Sequence, residues 1–147
     1  MINLKDRVKE VLEKGHLMSL ATTDDRGVWV SDVVYIFDDN LNIYWMSSLK
    51  TRHSKAIELN NKVAGTITVS NKNKEKNLGI QFNGVAQKIE NLDFNITKQY
   101  LIKKGNPVPE APTNILRPGA GWYMLKINSL YLIDEENFGF NRQEFKV

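Results

Sequence analysis

"VWVSDVVYIFDDNLNIYWMSS", residues 28–48, is dense in β-branched and aromatic residues, and its one polar break is the Asp and Asn cluster at 38–40. Such side chains fit a pleated, half-buried surface, so the stretch reads as two strands joined by a tight antiparallel connection. Side chains alternate along a strand, which puts Trp29, Ser31, Val33, Tyr35 and Phe37 on one face and Val30, Asp32, Val34 and Ile36 on the other. Both faces are largely apolar. A closed barrel or a subunit interface accounts for that better than a sheet with one side in water.

Working outward, "HLMSLATT" (16–23) is a preceding strand, separated by the turn "DDRG". Before it, Leu4, Val8, Val11 and Leu12 make one apolar stripe on a helix that Asn3 caps and Gly15 ends. Downstream, "KVAGTITV" (62–69) and "LGIQFNGVAQKIE" (78–90) read as a hairpin around the lysine-rich loop 71–77, with Gly79 and Gly84 marking bulges or close backbone approach. A helix is expected from about Asp93 to Lys104. All four prolines fall in "NPVPEAPTNILRPGAG" (106–121), a surface loop, and "WYMLKINSLYLIDEE" (122–136) supplies one strand or two. The expected layout is one domain, 1–147, mainly antiparallel β with three helices.

Composition narrows the function classes. The 147 residues include no cysteine, which excludes a disulfide framework, a thiolate metal site and a cysteine nucleophile, and fits a reducing, cytoplasmic setting. No apolar run is long enough for a signal peptide or a membrane span. A net charge of +3 comes from scattered lysines without the interleaved aromatics of a nucleic-acid surface, so no nucleic-acid partner is expected.

The catalytic inventory is poor. His16 and His53 are the only histidines, which gives a two-histidine metal centre little support, and no metal is expected. Asp24 with Asp25 and Asp38 with Asp39 look like paired carboxylates, but each pair stands in a turn, where Asp hydrogen-bonds the backbone. No serine lies in a G-x-S-x-G elbow, and no G-x-G-x-x-G or Walker sequence is present. Any hard chemistry therefore falls to a bound cofactor, and no side chain is assigned as acid or base.

One stretch suits an anion. In "WMSSLKTRHSKAIELNNKVAGTITV" (45–69), Ser47, Ser48 and Thr51 are short hydroxyls just past a strand, and Thr51 can cap a helix whose first turn exposes unpaired N–H groups. Arg52 adds a planar fork that matches phosphate oxygens, and His53 adds a hydrogen bond or, when protonated, a charge. The plain alternative is a solvated helix start.

The order "VWVSDVVYIFDDNLNIYWMSS", "TRHSKAIELNNKVAGTITV", "GIQFNGVAQKIE" resembles the flavin mononucleotide (FMN)-binding split-barrel family, the pyridoxamine 5'-phosphate oxidase-like proteins. The resemblance runs from about residue 15 to 90 and more loosely to the end, and is closest to a small bacterial-type branch with no assigned activity. It implies a split antiparallel barrel that dimerises with FMN at the subunit interface. Arg52 and His53 then match the basic pair on the flavin phosphate, with Met46, Ser47, Ser48 and Thr51 alongside. Ser31, Asp32, Val33 and Val34 lie on the strand whose backbone meets the flavin ring, and Gln81 matches a glutamine near the flavin. Trp122, Phe138, Phe140 and Arg142 fall where the partner subunit contributes, as flavin contacts or as dimer packing. Two departures matter: the vitamin B6 oxidase has an arginine on the strand matched by Val30 and Ser31, and an arginine-histidine pair near its C-terminus, and neither is here.

The expectation is thus a homodimeric, cytoplasmic FMN protein, an oxidoreductase exchanging hydride with an unidentified small substrate, and not a pyridoxamine phosphate oxidase. The alternatives are a non-catalytic flavin or haem carrier or sensor, and a basic nucleic-acid-binding barrel.

Overall fold

The computed structural model describes residues 1–147, and its elements follow the chemistry of the chain. Helix α1 (Leu4–Lys14) starts at Asn3, whose side chain accepts hydrogen bonds from the N–H groups of Lys5 and Asp6, and it buries Val8, Val11 and Leu12. It ends at Gly15, where φ is −67°, so left-handed backbone is not what the glycine provides. A Cβ there would collide with Ile67 and the Tyr35 hydroxyl; close approach is what only glycine allows.

Strands β1 (Leu17–Asp24) and β2 (Gly27–Val34) form a hairpin in full register, turned at Gly27 with φ 112°. The long second strand read from the sequence breaks at Tyr35: β2 stops at Val34, and β3 (Ile36–Phe37) pairs with β4 (Ile43–Ser48). Tyr35 explains the break. It is fully buried, and its hydroxyl donates to the Leu12 carbonyl at 2.7 Å, which pins the chain as it leaves one edge of the sheet for the other.

After helix α2 (Arg52–Leu59), strands β5 (Lys62–Thr68) and β6 (Leu78–Ile89) form the expected hairpin around the lysine loop. The register of β6 slips between Asn83 and Gly84, where a Cβ would collide with the Lys126 carbonyl, so the glycine permits a bulge. Helix α3 (Phe94–Lys103) is capped by Asp93. Strand β7 (Ala120–Asp134) is one continuous strand, followed by the short α4 (Glu135–Phe138), a helical turn beyond the three expected, and β8 (Gln143–Phe145).

The strand order is β2-β1-β5-β6-β7-β4-β3, all antiparallel, with β8 on β7. β2 and β4 are distant in that order, yet they pack side by side without a ladder, so the sheet curls into a half-barrel and α2 lies against β1 and β2. Twenty-one buried residues, among them Trp45, Tyr35, Leu20 and Leu125, fill the interior. A second core of six, Ile36, Met46, Ile96, Tyr100, Ala120 and Trp122, lies beneath α3. That second core resolves part of the two-sided apolar pattern: around β3, β4 and β7 the chain's own helix covers the outer face. On the outer face of β2, Val28 and Val30 remain 71% and 58% exposed, while Trp29, on the face of Val33, carries the Arg52 guanidinium. No helix is long and apolar enough to cross a membrane.

Candidate anion site at the start of the second helix

Thr51 opens α2 in extended backbone, and its hydroxyl oxygen accepts the Ser54 N–H at 3.2 Å. The Ser54 hydroxyl donates to the Ser48 carbonyl at 2.8 Å, while the Thr51 oxygen lies 2.7 Å from that hydroxyl and 3.0 Å from the same carbonyl. This small network ties the helix start to the end of β4. The first N–H groups of any α-helix have no acceptor within it, and here they belong to Arg52 and His53.

Arg52 is held on two sides. Its Nε and Nη2 donate to the two oxygens of Asp24 at 2.9 and 3.0 Å, and its guanidinium lies 4.4 Å over the Trp29 ring. Both anchors come from the β1–β2 hairpin. Asp24 still performs the turn chemistry read from the sequence, accepting the Arg26 N–H at 2.9 Å, so one carboxylate closes the turn and holds the arginine. A guanidinium has five N–H donors. Two are on Asp24 and no other hydrogen bond is made, so three donors of this partly exposed side chain are without a partner. The Arg52 hydrogen bonds hold the Asp24 carboxyl below its ordinary range, and Asp24 raises the arginine further.

His53 points inward. Its Nε2 shares a 2.8 Å hydrogen bond with the Ser47 hydroxyl, and burial pushes the imidazole below its ordinary range. At neutral pH it is therefore a neutral hydrogen-bonding group, and the cationic role considered for it belongs to acid conditions. Ser48 Oγ accepts the Lys50 N–H at 3.2 Å, which leaves its own hydrogen to donate.

The sequence-derived residues divide into three groups. Ser47, Ser48, Thr51, Arg52 and His53 come together at the β4–α2 junction. Ser31, Asp32, Val33 and Val34 lie along β2, an edge strand that pairs only with β1 and leaves the backbone groups on its other side without a strand partner. Of these, Val33 is in the interior core, and Asp32 accepts a hydrogen bond from Ser19 at 2.7 Å. Met46 packs in the outer core, so its side chain serves α3.

Gln81 is elsewhere. It follows Asp32, Ser19 and Thr66 in one cross-strand row, three strands from β2 or about 14 Å, and its side chain accepts from Arg142 at 3.1 Å. Trp122 is buried and meets Tyr100 edge-on at 5.1 Å, Phe138 packs on the interior core, and Phe140 is 87% exposed. Sequence reasoning missed Asp24 as a partner of Arg52, and also Trp29 and Ser54. Ser54, three positions after the cap, carries a local signal; Asp24 and Trp29 are joined to Arg52 only by the fold.

No protein-family model matches the chain. A UPF0306 protein of Photorhabdus laumondii is 31% identical over 84 residues, 56% of this chain and 59% of the relative. Another, from Pasteurella multocida, is 32% identical over 84 residues, 56% of each chain. The matched stretch thus spans little more than half the length of these relatives. Among solved structures, a pyridoxamine 5'-phosphate oxidase candidate from Listeria innocua superposes with TM-score 0.69 and 14% identity, covering 89% of this chain and 98% of that one. General Stress Protein 26 of Bacillus anthracis gives 0.68 and 15%, covering 98% and 100%. The haem storage protein HutZ of Vibrio cholerae gives 0.65 and 17%, covering 89% and 95%. At such identities the likeness concerns the fold, and the fold of this chain is the antiparallel split barrel of the pyridoxamine 5'-phosphate oxidase-like proteins.

Proposed function

We propose that this chain binds FMN, with the phosphate at the start of α2 and the flavin ring along the open edge of β2, and that it acts as a flavin-dependent oxidoreductase on a small substrate. The observation that carries this is Arg52: a fixed guanidinium with three unspent donors, beside the first-turn N–H groups of a helix. The donor set suits the group. Ser48 has a hydrogen to give, the Ser47–His53 pair adjusts by exchanging donor and acceptor roles, and the β2 edge supplies backbone donors and acceptors for a ring bearing both. Bound there, flavin supplies hydride exchange; the chain's own residues bind and orient it.

A second copy of the chain completes the proposed site. Val28 and Val30 of β2, and Leu59 of α2, 79% exposed, leave apolar surface that a twofold partner would cover, and Gln81 lies three strands along the sheet from β2. Sedimentation with and without FMN tests this; full flavin binding by a monomer would overturn it.

The experiment for the function is the visible spectrum of the purified protein, with mass spectrometry of the chromophore released on denaturation. Flavin bands and the mass of FMN are expected. A haem Soret band, or failure to take up added FMN, would overturn the proposal. Haem is the second reading, favoured by the likeness to HutZ; the exposed His16 is the imidazole free to ligate it, since His53 is bonded to Ser47. Pyridoxamine phosphate is not the expected substrate, because Arg142 stands without a histidine partner in the tail and donates to Gln81. Oxygen consumption with that compound should stay at background, and ordinary enzymatic turnover would overturn this.

A further inference from the structure

A cleft of about 640 Å³ lies between α1 and α3, floored by the segment from Tyr35 to Asp39. It shares no residue with the anion site. Its walls are mostly apolar, from Leu12, Ile36, Phe37, Ile96 and Ile102, with the amides of Asn95 and Gln99 beside them. Two cations line it, Lys9, which is paired with Asp39, and Lys103. Lys103, at the end of α3, lays its ammonium 3.5 Å over the Tyr35 ring and donates to the Tyr35 carbonyl at 2.7 Å.

The charges around Lys103 are already accounted for. Asp38 accepts from the N–H groups of Asn40 and Asn42, from the Asn42 amide and from the Tyr44 hydroxyl, which occupies both oxygens. Asp39 is paired with Lys9 at 3.2 Å, and Glu13 is exposed. Lys103 makes no ion pair. An ammonium drawn out of water without an anion is costly, and an anion delivered to it relieves that cost.

We propose that the α1–α3 cleft is a second ligand site, separate from the flavin site, that takes a small carboxylic acid with an apolar body, its carboxylate on Lys103 and its body on Phe37, Ile96 and Ile102. Burial lowers the Lys103 ammonium to about 8, so it is charged at neutral pH and loses the charge just above. Of the ionisable groups facing the cleft, Lys9, Glu13, Tyr35, Asp38, Asp39 and Lys103, burial brings Lys103 into that window and moves Tyr35 away from it.

The test is a ¹H–¹⁵N correlation titration of the full chain with phenylacetate and, in parallel, with neutral phenylacetamide. Saturable shifts are expected at Tyr35 to Asp38 and at Asn95 to Lys103, with phenylacetate binding in roughly the millimolar range or tighter and the amide about tenfold weaker. Lys103→Met should lose phenylacetate about tenfold, and Lys103→Arg should keep it within about threefold. A wild-type arm stands if the Met variant misfolds: raising the pH past about 9 should weaken phenylacetate and leave phenylacetamide unchanged. No saturable shift, equal affinity for acid and amide, or a Lys103→Met variant that folds and binds phenylacetate normally would overturn the proposal.

Discussion

Four cations lie on aromatic rings in this chain, and two of them, Arg52 and Lys103, behave differently. Arg52 stacks on Trp29 and has a carboxylate; Lys103 lies on Tyr35 and has only a carbonyl. The carboxylate holds Arg52 in one orientation, while burial without an anion draws the Lys103 ammonium down. An aromatic neighbour alone does not offset the desolvation of a half-buried ammonium. The paired cation is preorganised for a multivalent anion that can share it. The unpaired one is suited to a ligand that brings the missing charge.

The largest effect expected from breaking this contrast is Arg52→Ala. It should weaken FMN about tenfold to a hundredfold, because a charge-assisted bond to phosphate is lost, and Lys103→Met should leave FMN unchanged. Isothermal titration checks both, and an unchanged Arg52→Ala affinity would remove the anion site from the account. Next is Asp24→Asn, which keeps a hydrogen-bond acceptor beside Arg52 and removes a negative charge close to the incoming phosphate. FMN affinity should rise about threefold, the scale of one screened repulsion across a few ångströms. A fall would show that the carboxylate matters more for orienting Arg52 than for opposing the phosphate.

A third test compares the two cations directly. The Lys103 ¹³Cε resonance should titrate near pH 8, against an ordinary lysine value of 10.5, and added phenylacetate should move its midpoint up. A midpoint at the ordinary value would remove the contrast. The smallest effect is on stability. The folded-state pKa of Lys103 lies below its unfolded value, so between pH 8 and 10.5 the unfolded chain binds more protons, and stability rises with pH across that window. Lys103 is partly exposed and screened, so its contribution should be no more than about 1 kcal/mol. In urea melts the stability difference between wild type and Lys103→Met should change by up to that amount across the window, and an unchanged difference would contradict it.

The strand chemistry of residues 16–48 and 62–90 was legible because alternation and turn residues act locally: each hairpin turn is written where it occurs. So was the Thr51 cap, set by positions 51 to 54. The break at Tyr35 was not, since it depends on Leu12 and Gly15 meeting the ring after folding. Nor was the outer core, because Trp122 and Met46 look like any strand residues until α3 lands on them. Asp24 read correctly as a turn residue, but its hold on Arg52 spans 28 positions and no local pattern encodes it. The alternation on β2 shows two apolar faces, and the structure covers one, with Val33 in the core, while Val28 and Val30 on the other are open on the single chain.

The most direct test of the central claim is isothermal titration of the cofactor-free chain with FMN and with riboflavin, which differ by the phosphate. FMN should bind at least about tenfold more tightly, and Arg52→Ala should bring the two together. Equal affinities in the unaltered chain would contradict a phosphate site at the start of α2.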